Sequence, residues 1–188
     1  MKTYSWLKQN CLLLHLRTTF CALTIVGASL TLPGAEGGPP IQAAGTFAPC
    51  FNYLSVEFLP PGSDPSNFIT ALTTFNITGT GAGTLTGTFI GTEMDVVHHS
   101  DGSINLHGTL VFTGSVNGGP EGTLVFTYEG IGNAVTGQET LRAVGTQGTG
   151  GLAGVYANIT LEGQVLPPAP GCALSGSGTY TGQVIFAP

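Results

Sequence analysis

Beyond Arg17 the sequence contains one lysine or arginine, Arg142, and charged residues of either sign make up only 7% of the chain. Scarce positive charge leaves no basic patch to neutralise phosphates, which argues against nucleic-acid binding. Attraction to anionic lipid fails for the same reason, so no membrane partner is expected after processing. The acids from Glu36 to Glu162 are scattered singly, which reads as a soluble anionic surface before it reads as a cation site. Cysteine is scarce and never spaced as Cys-x-x-Cys, and no metal site is expected. No nucleophile elbow, Ser/His/Asp arrangement or phosphate-cradling loop appears, and GTGAG at 79–83 does not open a helix. No cofactor is therefore expected. A helical period of convincing length is also missing after the N-terminal stretch.

That N-terminal stretch is read apart from the rest. It carries Lys2, Lys8 and Arg17, then runs apolar from about Phe20 to Leu32 and ends in small residues and prolines. A basic head, a short apolar core and a small-residue exit describe a secretory signal peptide, and the apolar run is shorter than the roughly 20 residues of a spanning helix. Retention as an anchor is the alternative. Val26-Gly27-Ala28 fits the small-x-small cleavage preference and Gln42-Ala43-Ala44 fits it poorly. The expected organisation is a signal peptide over 1–28 (cleavage as late as 44), a flexible Gly/Pro/Ala-rich lead-in over 29–45, and one domain over 46–188. The location expected is secreted, periplasmic or extracellular.

Export removes Cys11 and Cys21 and leaves Cys50 and Cys172, one near each end of the mature chain. In an oxidising compartment an isolated pair is most simply a disulfide. A metal pair or a reactive thiol is the alternative, with no nearby His to support it.

What remains is rich in glycine, threonine and valine, too apolar for disorder and too interrupted by glycine for long helices. β-branched residues suit a pleated surface, so the fold class expected is all-β. Strand candidates at about 46–58, 68–78, 84–99, 103–115, 122–130, 136–144, 154–165 and 176–187 alternate with turn clusters such as GTGAG (79–83), NGGPE (117–121) and GTQGTGG (145–151). Evenly spaced strands with tight connections predict a meander closed on itself, or a sandwich.

The hexapeptide GTLVFT occurs at 108–113 and again at 122–127. Each copy alternates Leu and Phe with Thr and Val, the period of a half-buried strand. For Leu110 and Phe112 to share a face with Leu124 and Phe126, the intervening loop must be odd, such as Asn117-Gly118-Gly119. In the preceding hairpin, Asp101-Gly102 signals a type I′ turn. That turn pairs Val96 with His107, His98 with Asn105, Asp95 with Gly108 and Glu93 with Leu110. Glu93 and Asp95 then lie on the face of Leu106, Leu110 and Phe112. Inside a barrel they would project into an apolar cavity, raise one another's pKa and serve as acid and base. The plainer reading puts them at a solvated mouth or on the outer surface.

Tyr128 falls on the same face, either donating to a ligand oxygen or packing as a core tyrosine. His98 and His107 lie diagonally on one hairpin face with His99 on the other, too few for zinc and read as exposed strand residues. Arg142 is read as the partner of a buried carboxylate such as Glu139 or Glu129, with an anion clamp or a surface role as alternatives. Asn76-Ile77-Thr78 and Asn158-Ile159-Thr160 match the glycosylation sequon.

The stretch from Phe68 to Phe186 resembles a family of uncharacterised bacterial secreted proteins with an allene oxide cyclase-like barrel. The resemblance rests on GTLTGTF (83–89), GTLVFTGSVNGGPEGTLVFTYEG (108–130), GTQGTGGLAGVYA (145–157) and SGTYTGQVIF (177–186). It implies an eight-stranded antiparallel β-barrel, the shape shared by plant allene oxide cyclases and dirigent proteins. Such proteins bind apolar substrates inside the barrel, guide cyclisation or coupling, and often form trimers, which implies a homo-oligomer. Lipocalins are set aside, because they carry Gly-x-Trp near the start of the barrel and no tryptophan follows Trp6 here. The functional expectation is a small apolar molecule held against Leu110, Phe112, Phe126 and Tyr128. A cyclase or isomerase using Glu93 or Asp95 is the second reading, and a filled barrel serving as an extracellular structural or interaction module is the third.

Overall fold

A computed structural model describes residues 38–58, 69–98 and 102–187. The signal-peptide stretch, the 60–67 turn cluster, His99 and Asp101 lie outside the described residues. The eight strands are β1 (Ile41–Phe58), β2 (Ile69–Gly83), β3 (Leu85–His98), β4 (Ser103–Val116), β5 (Gly122–Asn133), β6 (Gln138–Gly150), β7 (Val155–Leu166) and β8 (Leu174–Phe186). Each pairs antiparallel with the next and β8 closes on β1, so the protein is an all-β closed barrel, not a sandwich. Closure leaves no open sheet edge along the shared length of the strands.

Several boundaries differ from the sequence expectation; β6 in particular continues through GTQGTG to Gly150, so most of that expected turn cluster is strand. β1 begins at Ile41, so the last five residues assigned to the lead-in are strand, with Ala43 buried. GTGAG is not a turn but the end of β2, which reaches Gly83 and leaves Thr84 alone between β2 and β3. The reason is space inside the barrel. Gly79 stands opposite Phe89 on the next strand, and a β carbon at Gly79 would lie 2.3 Å from the Phe89 ring.

The same arrangement recurs around the wall. Gly45 faces Tyr180, Gly178 faces Phe47, Gly108 faces Tyr128 and Gly145 faces Phe126. At Gly45, Gly108 and Gly178 an added β carbon would come within 2.5 Å of the facing aromatic side chain. Each of these inward rings thus lies over a neighbour that has no side chain, which makes room for it in a narrow eight-stranded barrel.

One end is plugged. Leu85, Leu124, Leu152 and Val184 are 4% exposed or less, with Leu152 reaching in from the β6–β7 connection. The Tyr180 hydroxyl accepts the Leu85 N–H at 2.7 Å and thereby ties β8 to the start of β3. At the opposite end the β7–β8 connection is fastened to β1. Cys50 and Cys172 form a disulfide, and Asn52 accepts the Ala173 N–H at 3.1 Å and donates to the Gly171 carbonyl at 3.3 Å. The bridge spans 122 residues of sequence, a loop whose closure stabilises the fold by about 4–5 kcal/mol in the chain-entropy treatment. A Cys50→Ser, Cys172→Ser double variant is therefore expected to lose about that much in denaturant unfolding. A loss below about 1 kcal/mol would mean the crosslink adds little to what Asn52 already holds.

Candidate functional site

The duplicated hexapeptide places the site. Leu110 pairs with Phe126 and Phe112 with Leu124, so both copies turn the same face inward, as the alternation requires. The odd connection arises in an unexpected way. Asn117 and Gly118 have φ of 50° and 70°, and the Gly119 N–H bonds the Val116 carbonyl at 3.0 Å. A two-residue turn of the type Asn-Gly favours is thus followed by three further residues, and five residues separate β4 from β5.

The β3–β4 hairpin differs from its expected register by two residues. His107 pairs with Met94 rather than Val96, Asn105 with Val96 rather than His98, Gly108 with Glu93 rather than Asp95, and Leu110 with Gly91 rather than Glu93. The strands end at His98 and Ser103, so the connection is longer than a two-residue type I′ turn. A slip of two preserves the face of every side chain, whereas a slip of one inverts it. Glu93 and Asp95 are accordingly interior, 3% and 6% exposed. His107 is exposed and His98 shares its outer face, where the His98 ring contacts Asn105 Nδ2 at 2.7 Å.

Two spaces occupy the axis of the barrel and share Phe51, Glu93 and Glu139 in their walls. The deeper is a cleft of about 90 Å³ against Phe89, Leu110, Phe112, Phe126 and Tyr128. The wider is a chamber of about 560 Å³ toward the disulfide end, bordered by Thr73, Phe75, Asp95, Val97, Ile104 and the 133–137 connection. Ligand pockets begin at about 300 Å³, so only the wider one holds a molecule of ordinary size. All four expected lining residues border the deep cleft, which their own rings largely fill.

Three carboxyls gather here, Glu93 and Glu139 bordering both spaces and Asp95 the wider one. Glu93 and Asp95 come from β3 and Glu139 from the start of β6. Glu139 corrects the sequence reading of it as a partner for Arg142. It is in step with inward Leu141 and Ala143, while Arg142 is out of step, exposed, and cross-strand from exposed Glu129. No buried carboxylate meets the Arg142 guanidinium, and it does not face the chamber. The missed signal was the period itself, since Glu139 stands two residues before Leu141. Both sequon asparagines, Asn76 and Asn158, are on the outer side of their strands.

No lysine or arginine among the described residues faces these acids. The Tyr128 hydroxyl donates a hydrogen bond to Glu93. Asp95 Oδ1 is buried with no hydrogen-bond partner among the described residues. Burial lifts Glu93 well above the ordinary carboxyl range, aided by repulsion from Asp95 and Glu139 and partly opposed by the Tyr128 hydrogen bond. Burial pushes Asp95 from 3.8 to about 7, and burial followed by the Asp95 charge pushes Glu139 from 4.5 to about 7. Burial and the Glu93 charge raise the Tyr128 phenol. The cluster thus holds protons near neutrality in an apolar setting, and it exchanges them there. Among the described residues no group of three or more His, Cys, Asp or Glu is arranged to hold a metal ion, and no helix is long and apolar enough to cross a membrane.

No family model matches the chain, and no curated protein matches it in sequence. Among solved structures it is similar to a protein of unknown function of the DUF3224 family from Shewanella oneidensis MR-1. The two share 18% identity with a TM-score of 0.57, over 80% of this chain and 99% of that one. At that identity the likeness shows the barrel fold alone.

The carboxyls impose a pH dependence on stability. Their folded pKa values exceed the unfolded ones, so the folded chain binds more protons between about pH 4 and 7, and stability falls as pH rises through that window. For Asp95 a rise from 3.8 to about 7 corresponds to about 4 kcal/mol. Asp95→Asn is therefore expected to stabilise the protein by roughly 1–4 kcal/mol near pH 8 and by little near pH 4, as read by thermal melting. Equal destabilisation at both pH values would contradict this assignment.

Proposed function

We propose that the protein is an exported barrel that binds one small, largely apolar molecule in the chamber at its disulfide end. The observation that carries this reading is the 560 Å³ chamber above a plugged floor. A chamber of that size, bordered by Phe51, Phe75, Val97 and Ile104, exceeds the volume at which ligand pockets begin. Export is supported by the leader composition and by a disulfide compatible with an extracellular or periplasmic location. The kinship to allene oxide cyclase-like barrels belongs to the same proposal. It is supported by the eight-stranded closure and by the apolar wall of the deep cleft.

A second reading, a cyclase or isomerase, is favoured by the proton affinities of Asp95 and Glu139. A group with pKa near the working pH is the best general acid or base. On this reading the acids deliver or remove a proton on an apolar substrate, with Tyr128 holding Glu93 in place.

Binding is tested with N-phenyl-1-naphthylamine, a dye uncharged near neutrality. Saturable fluorescence at about one dye per chain is expected. A Val97→Trp change, which puts an indole into the chamber wall, should weaken binding by about tenfold or more without loss of the folded transition. No dye uptake by the native protein would contradict the proposal.

A further inference from the structure

We infer, resting on the binding function proposed above, that the natural ligand is an amphiphile with a cationic amine head. The head is held by Asp95 and Glu139, and the apolar tail lies in the chamber against Phe75, Val97 and Ile104.

The geometry separates the two halves of such a molecule. The tail has the rings of Phe51 and Phe75 and the side chains of Val97 and Ile104. The head meets three carboxyls gathered in one region. Glu93 already accepts the Tyr128 hydrogen bond, so its demand is partly met within the protein. Asp95 is 6% exposed, borders the chamber, and carries Oδ1 with no partner among the described residues. A buried acceptor left unsatisfied destabilises a fold, so such a group calls for an explanation. A ligand that brings a donor supplies one. A second carboxyl beside it, with no lysine or arginine facing either, favours a donor that also carries positive charge. A neutral alcohol satisfies the acceptor but leaves the mutual repulsion of the acids in place. An anionic head adds to that repulsion and is excluded.

The surroundings leave these carboxyls to set the pH response. Among the described residues the titratable groups facing them are Glu93 on β3, Tyr128 on β5 and Tyr53 on β1. β2 contributes Thr73, β4 Ile104 and Leu106, β7 Val165 and β8 Leu174, none of which ionises. The outward histidines and Arg142 are on the other side of the wall. An alkylamine remains cationic well above neutrality. Its affinity should therefore rise as the acids ionise through about pH 7 and stay high until the amine itself loses its proton.

The experiment displaces the neutral dye with octylamine, octanol and octanoate at about pH 5.5 and about pH 8. The amine is expected to gain about tenfold in affinity between the two pH values, the alcohol to change by less than about threefold, and octanoate to bind weakest at the higher pH. Glu139→Gln and Asp95→Asn, measured separately, should each lower the ratio of amine to alcohol affinity toward one at pH 8. A melting curve on each variant shows that it is folded. If dye and alcohol bind but the amine gains no preference over the alcohol at pH 8, the cationic head is wrong while the binding pocket stands. If neither dye nor any octyl compound binds, the binding function fails, and this inference with it.

Discussion

The barrel depends on a steric relation across its strands: the inward rings of Phe47, Phe89, Phe126, Tyr128 and Tyr180 each lie against a facing glycine. An eight-stranded cylinder is just wide enough for its own side chains, and at these positions a side chain on the facing residue would collide with the ring. Gly79 beneath Phe89, Gly108 beside Tyr128 and Gly178 beneath Phe47 remove that collision. The high glycine content is therefore not a sign of loose structure. It permits burial of rings, the largest single source of apolar stabilisation available to a small domain.

Where that pattern stops, the barrel changes character. Below, rings and aliphatic side chains seal the floor against Leu124, Leu152 and Val184. Above, inward positions on β3 and β6 are taken by Glu93, Asp95 and Glu139, and the axis widens into the chamber. Buried carboxyls that no cation faces favour the protonated form, and the fold tolerates them because neutral carboxyl groups are far cheaper to bury than charged ones. The disulfide and Asn52 reinforce the wall at this same end. Stability is thus supplied around the chamber, while its interior is left open and electrostatically unmatched.

Much of this was legible in the sequence. Alternation alone fixed which side chains of the GTLVFT copies face inward. It also put Glu93 and Asp95 inside even though their partners across β3–β4 are two residues away from those expected, because parity survives such a slip. The cysteine pair followed from compartment logic. The end of β2 did not, since Gly79 and Gly81 carry no side chain by which a strand announces itself. Its role becomes visible only once Phe89 is opposite. Glu139 was hidden by Arg142 nearby, whose charge suggested an ion pair that the alternation of β6 forbids. The division of the interior into floor, cleft and chamber depends on how eight strands stagger together, and no local pattern encodes it.

These carboxyls remain protonated close to neutrality because the barrel encloses them with no lysine or arginine among the described residues facing them. Carbon-detected NMR of the Asp and Glu side-chain carboxyls across a pH titration tests it directly. The account predicts that Asp95 and Glu139 titrate near 7 and Glu93 well above the ordinary range, apart from the exposed acids. Titration of all three with the exposed acids, near pH 4, would contradict it.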